Sequence, residues 1–302
     1  MDKLTKRLLP YLIACLFAMM ICFGQQALAQ TDDRLTNSLP QETSPATKAQ
    51  KKPFINPEGM TVETRFLPPH GFERKKHDDP YVAFMRTLPM LPDGSPVLYF
   101  DGRLKPNQAI HIGVLDIDVG KRDLQQCADA ALRLRGEYLY HSGQGDKIAY
   151  HLSNGFLLSW PEWQKGFRLK YDKNKKPQTW MEKTASPSNS YETFRKYLDA
   201  LFMYAGVNSV MKESRRILLS EIQPGDVFAS TGHLIIVLDV VQNAQGQKRF
   251  LLAQSYMPAQ QIEVLINPFS PDGWYDASTL IFPFITPEWI FPAPGPNLFR
   301  MP

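Results

Sequence analysis

Residues 221–241 read EIQPGDVFASTGHLIIVLDVV, and this stretch decides the fold. Pro224-Gly225-Asp226 is a turn signal, because proline presets φ and glycine supplies positive φ at no steric cost. Two short apolar runs follow, VFAS and HLIIVLDVV, each read as a strand bounded by small residues. The polar link QNAQGQK then leads into RFLLAQSYM, a further strand. Successive strands joined by short links pair antiparallel. If the link turns near Gln245, residues 250–256 lie beside 233–241, and Gln254, Ser255 and Tyr256 fall near the His233 end.

Upstream, residues 114–140 read VLDIDVGKRDLQQCADAALRLRGEYLY. Ile110, Ile112, Val114 and 117–119 mark a largely buried strand, and PVLYFD (96–101) reads as another. Asp123 with Gln126 three residues later forms a box-like helix start. Leu124, Cys127, Ala131, Leu134 and Tyr138 then recur at helical spacing, which places Cys127 in the first turn. Between the cysteine helix and the strands lie a hairpin around Asn154-Gly155, a basic polar insertion at 170–190, and an amphipathic helix at 190–206 with an interruption at Gly206. The order predicts an α+β fold: a cysteine-bearing helix packed on an antiparallel sheet, with a helical and hairpin insertion.

The ends have a different character. Lys3, Lys6 and Arg7 precede an apolar run, and Ala27-Leu28-Ala29 is a small-x-small site, so 1–29 read as a secretory signal peptide. A lipoprotein signal ending at Cys15 competes with this reading, but the apolar run continues past that cysteine. Residues 30–53 are polar and aperiodic, a disordered tether. Residues 54–282 form one domain. Residues 283–302 hold six prolines and read as a strap on the domain surface. The product is expected in the periplasm or outside the cell, with no membrane span after residue 30. Without residues 1–29 the chain has 31 basic and 29 acidic residues, a net charge of +2 that gives no reason to expect nucleic acid.

Cleavage after Ala29 removes Cys15 and Cys22 and leaves Cys127 alone, without a disulfide partner. A lone helical cysteine is commonly a small core residue. A first-turn position with polar neighbours, and retention in an exported chain, favour a nucleophile whose thiolate the helix dipole stabilises. His233 is the base that fits, since it opens an apolar strand at a cleft edge. Gln254 is the candidate orienting group, with Ser255 and Tyr256 beside it. Gln125 or Gln126 is a candidate oxyanion donor together with the Cys127 backbone N–H. Gln126, Tyr138 and Trp180 are the candidate substrate contacts. Asp116 and Asp118 share a strand face, too close together to straddle a sugar as glycoside cleavage requires. No metal motif and no phosphate loop is present, and no cofactor is expected.

A helix-start cysteine followed by PGDVF…GHLIIV resembles the papain-like amidases of the NlpC and CHAP type, which cut peptide bonds in peptidoglycan. That resemblance implies Cys127 as nucleophile and His233 as base. The chain departs from the family pattern in carrying Gln126 and Ala128 at the cysteine's flanks, where that pattern has Asp before and Ser or Gly after. The Cys-to-His interval, 106 residues, is long. More of the chain, through LDIDVGKRDLQQCADAALRLRGEYLY, NGFLLSW and GDVF…GH…LLAQSYMPAQ, resembles the exported bacterial family known as domain of unknown function 4846, which implies one exported domain and no assigned activity. The expectation is an exported cysteine amidase or peptidase acting on peptidoglycan or another envelope peptide. The alternatives are a binding module of the same fold without turnover and an envelope scaffold that holds a partner through its strap.

Overall fold

The computed structural model describes residues 54–302 except 271 and 296. The expected signal peptide and tether lie outside these residues. The fold is a mixed α/β one built on antiparallel pairing. Seven strands run along the main path of the sheet: β1 (His111–Val114), β2 (Arg215–Arg216), β3 (Val227–Ser230), β4 (His233–Asn243), β5 (Lys248–Gln254), β6 (Glu263–Leu265) and β7 (Leu298–Arg300). Their spatial order is β1-β6-β5-β4-β3-β7-β2, and Phe72–Glu73 and Tyr275–Asp276 add to β4 and β5. Every pair is antiparallel. Among the described residues, no helix is long and apolar enough to cross a membrane.

β3 and β4 form the hairpin expected from the opening stretch, closed at Ser230↔His233 by Thr231 and Gly232. Gly232 has φ +99°, and a Cβ there would stand 3.2 Å from the Trp289 ring, so the turn needs glycine on both counts. β4 is eleven residues long, longer than the sequence pattern indicates. It is apolar without alternation because both its faces are covered. Leu234, Ile236 and Leu238 pack into the helix-side core, while Ile235 and Val237 join Phe228, Phe250, Phe284 and Phe291 on the other side. Burying each such aliphatic side chain contributes about 1.5–3 kcal/mol.

The helix-side layer is α1 (Cys127–His141), α2 (Tyr191–Phe202) and α3 (Val207–Glu213). Phe194, Leu198, Leu201 and Phe202 bury the expected face of α2, and Gly206 separates α2 from α3. The hairpin around Asn154-Gly155 forms as expected, from Ala149–His151 and Leu157–Ser159. Three expectations change. The 96–101 segment is not a strand and makes only isolated bridges at Leu98 and Tyr99. α1 starts at Cys127, three residues later than the Asp123 box implies, because Asp129 Oδ2 accepts the Gln126 N–H at 3.1 Å while Asp123 Oδ1 is taken by the Ala259 N–H at 2.7 Å. The proline-rich end is more than a surface strap. Its last stretch free of proline is β7, paired on one side with β3 and on the other with β2.

The Pro-Gly-Asp turn has a structural role of its own. Buried Asp226 accepts two hydrogen bonds from Arg300 of β7, at 2.7 and 2.9 Å, and one from the Gln223 N–H at 2.8 Å. The turn thus locks the C-terminal strand into the sheet.

Candidate active site

Cys127 is the first residue of α1, and its own N–H is among the helix-start donors without an intrahelical acceptor. Gln125, two residues before it, is anchored from the sheet side. The Ser255 hydroxyl lies 2.8 Å from the carbonyl oxygens of both Gln125 and Gln260, so the helix start is held against the end of β5. His233 opens β4. The two residues line one cavity of about 350 Å³, whose walls also include Gln126, Asp129, Tyr256 and Trp289, with Phe202 and Gly206 from α2 and its end.

His233 is 2 % exposed, and its Nε2 lies 2.9 Å from Gln254 Oε1. Which carboxamide atom faces the imidazole is fixed by what lies behind it. Gln254 Nε2 donates to Glu263 Oε1 at 2.9 Å and to Glu288 Oε2 at 2.7 Å. A carboxylate accepts only, so the NH₂ group must face the acids and the oxygen must face the ring. Nε2 of His233 is therefore the protonated nitrogen, and Nδ1 is the nitrogen able to take a proton. Lys105, 4 % exposed, holds the two acids together with Nζ at 2.5 Å from Glu263 and 2.6 Å from Glu288. Gln260 Nε2 adds a bond to Glu263 at 3.0 Å.

The electrostatics differ from the sequence expectation. Burial pushes the Cys127 thiol above its ordinary value, and the Asp129 carboxyl adds to the rise; the opposing help from the Leu234 and Ala128 backbone amides is smaller. The expected dipole-lowered thiolate is therefore not the resting state, because desolvation outweighs the helix start. Burial likewise pulls His233 down to about 4, against the raising influence of Gln254 and Glu288. The resting pair is neutral thiol and neutral imidazole. Asp129 is pushed up to about 8 by burial, and its Oδ1 has no hydrogen-bond partner.

Of the residues singled out in the sequence, Cys127, His233 and Gln126 line the cavity, and Gln254 stands directly behind His233. Tyr256 lies with its ring centroid 4.9 Å from that of His233, and Ser255 is structural. The Gln125 side chain is turned away, its oxygen accepting from Arg133 Nη1 at 3.0 Å. Tyr138 does not line the cavity. It is eleven residues along α1, about 16 Å by helix rise, and packs against Tyr81 and Phe84. Trp180 does not line it either, since it sits in the Phe167–Tyr171 and Thr179–Lys183 hairpin under the Lys175 ammonium. Asp118 is spent on an ion pair with Arg195 at 2.9 Å. Sequence reasoning missed Lys105, Asp129, Glu263, Glu288 and Trp289. Glu288 and Trp289 come from the tip of the strap hairpin (Phe284–Ile285 with Ile290–Phe291). Trp289 packs on His233 at 5.0 Å between ring centroids and donates Nε1–H to Ser230 Oγ at 3.0 Å. Among the described residues, no group of three or more His, Cys, Asp or Glu side chains could hold a metal ion.

The family model described as Domain of unknown function (4846) matches residues 62–295. The chain belongs to that family. No curated protein and no solved structure matches it. The span matched in this 4846-family member contains the whole cavity, from the Lys105 network through α1, β4 and β5 to the strap hairpin that carries Glu288 and Trp289.

Proposed function

We propose that this chain is an exported cysteine amidase or peptidase acting on cell-envelope peptides such as peptidoglycan stem peptides. One observation carries the reading. A carboxamide, held by two carboxylates so that its oxygen faces the ring, fixes the tautomer of a histidine that shares a cavity with a helix-start cysteine. A neutral group orienting a base toward a thiol is the logic of cysteine hydrolases. In this reading the working order along the chain is cysteine helix, then histidine strand, then orienter on the adjacent strand.

In this reading, His233 Nδ1 takes the thiol proton as Cys127 Sγ bonds to the amide carbon. The carbonyl π electron pair moves onto oxygen, and the Cys127 N–H and the Gln126 side chain receive that oxyanion. The imidazolium then protonates the leaving nitrogen and the C–N bond breaks, leaving a thioester. Water, deprotonated by the same imidazole, releases the acid and regenerates the thiol. Because thiol and imidazole rest neutral, proton transfer accompanies attack and no ion pair waits beforehand. Gln254 holds the ring and touches no reacting atom.

A binding module without turnover is the second reading. The observation in its favour is the same electrostatic one: a thiol pushed up and a base pulled down to about 4 make a weak resting pair. Purified protein incubated with digested peptidoglycan separates the two. Hydrolysis should release new amino groups, and Cys127→Ala and His233→Ala should each abolish the release. Parent protein that binds wall fragments but releases nothing supports the binding module.

A further inference from the structure

The hairpin of Phe167–Tyr171 with Thr179–Lys183 stands apart from the main sheet as a two-stranded sheet of its own. Residues 165–183 carry seven Lys and Arg against two acids, Asp172 and Glu182, a local charge of +5, whereas residues 250–299 carry no Lys or Arg. The small net charge of the chain therefore conceals a one-sided distribution. Two of the hairpin cations are spent inside the fold. Arg168 donates to the Trp163 and Phe167 carbonyls at 2.7 Å, and Lys165 pairs with Glu162 at 2.8 Å. Lys170, Lys173, Lys175, Lys176 and Lys183 have no carboxylate partner among the described residues. The tip that presents them is a folded turn: the Asp172 N–H donates to the Gln178 carbonyl at 2.9 Å, and Gln178 Nε2 donates to the Lys173 carbonyl at 2.9 Å.

A cavity of about 300 Å³ opens beside that tip. Its walls are Leu152, Leu169 and the exposed rings of Tyr171 and Tyr204, with Ser153, Asn154 and Thr179 between them. The Asn154 carboxamide is used at both ends, donating to Thr179 Oγ1 at 2.7 Å and accepting the Phe156 N–H at 3.0 Å. The surface thus asks for a partner that is anionic over the lysines and apolar a few ångströms away. We propose that the hairpin is a membrane-contact surface, with its lysines among the headgroups of an anionic bilayer and its tyrosine-lined cavity on an acyl chain. A bilayer supplies both chemistries in that order, whereas a soluble polyanion supplies only the first. Tyrosine and tryptophan rings settle at headgroup level, and lysine stems lie along apolar surface while their ammonium groups stay in water. Trp180, with the Lys175 ammonium 4.6 Å above its ring, adds an aromatic on the other face of the hairpin. The exposed Phe269, Ile281, Ile285 and Ile290 form no such surface, because they lie in the stretch without Lys or Arg. Tyr204 is two residues from Gly206 of the Cys127 cavity, so docking here sets that cavity beside the bilayer. Nothing in the contact uses the thiol, and it stands apart from the hydrolase reading.

Vesicle co-sedimentation tests the contact. The protein used is the expected export product from Gln30 onward, which lacks the apolar run of residues 11–24. The vesicles are phosphatidylcholine alone and an equimolar mixture with phosphatidylglycerol. The parent should bind the mixture about a hundredfold more tightly or better, and sodium chloride should weaken that binding by screening. A lysine near an anionic surface strengthens binding about fivefold, so Lys175→Gln with Lys176→Gln should cost about 20–30-fold. Lys75→Gln with Lys76→Gln removes the same charge beside Phe72–Glu73, which pairs at the end of β4 away from His233, and should cost little. Tyr171→Ser should cost about fivefold, at high salt as at low, because the lost contact is apolar. Thermal melts of all these variants should match the parent, since the side chains are exposed. Equal binding to both vesicle types, or equal losses from the two lysine pairs, overturns the proposal. Tyr171→Ser binding like the parent overturns it too, and tight binding of soluble polyphosphate would then assign the surface to anionic polymers. Cys127→Ala should bind vesicles as the parent does, so failure of this proposal and failure of the hydrolase reading are read separately.

Discussion

Asp129 makes a prediction about stability that needs no substrate. Asp129→Asn keeps the shape and keeps an oxygen for the Gln126 N–H, but removes the ionisation. In the native protein the carboxyl is pushed from an ordinary 3.8 up to about 8 by burial. A carboxyl raised on folding makes the native state bind more protons than the unfolded state. Its contribution is fully present below about pH 4 and is lost as pH rises through about 8. A gap of about four units at 1.36 kcal/mol each gives a ceiling of about 5–6 kcal/mol. Water drawn into the cavity around the charged form reduces it, and about 2–4 kcal/mol is the expected change between pH 4.5 and pH 9. For a domain of this size that corresponds to about 5–15 °C. Thermal melts of parent and variant should therefore nearly coincide at pH 4.5 and diverge as pH rises, with Asp129→Asn the more stable at pH 9. His233, whose shift does not depend on Asp129, cancels between the two proteins, while the Cys127 thiol loses the small additional rise that Asp129 gives it. Parallel curves of melting temperature against pH would refute the reasoning, since they would mean that Asp129 titrates as an ordinary surface carboxyl.

Two further outcomes follow from the site. Lys105→Met leaves Glu263 and Glu288 facing each other around Gln254 without their cation, and breaking a buried ion network costs about 3–5 kcal/mol; calorimetry at pH 7 should show a fall of roughly 10 °C, and a shift near zero would mean the network is not formed. His233, pulled down to about 4, should stay a neutral base well below pH 6, so the pH–rate profile should lack an acid limb near 6.5; half of the activity lost at that pH would contradict the buried imidazole.

How much of this was legible in the sequence depends on whether a residue's place is set locally. His233 and Gln254 could be paired in advance because one short link joins their strands, and antiparallel register then brings the His233 end of β4 beside the end of β5. The hairpin at Asn154-Gly155 and the break at Gly206 follow from the chemistry of single residues. The start of α1 was less clear because two capping boxes overlap, and the choice falls to Ala259, a residue 136 positions away that takes the Asp123 carboxylate. Lys105 and Glu288 arrive from irregular segments with no periodic signal, 183 residues apart in the chain. The thiol's direction was misread because the helix-start position is local, whereas the burial that outweighs it is a property of the assembled cavity. Tyr138 and Trp180 are aromatic in type, but type alone does not say which wall a ring faces.

The central claim is that the Cys127 sulfur takes an acyl group from an amide under the action of His233. Its most direct measurement is the intact mass of the protein, acid-quenched during turnover of short peptidoglycan peptides. Acylation of Cys127 should appear as a mass increase equal to the acyl fragment and removable by hydroxylamine, present in the parent, absent in Cys127→Ala, and strongly reduced in His233→Ala. An unmodified parent mass throughout, with Cys127→Ala binding the same peptides as tightly as the parent, would contradict it.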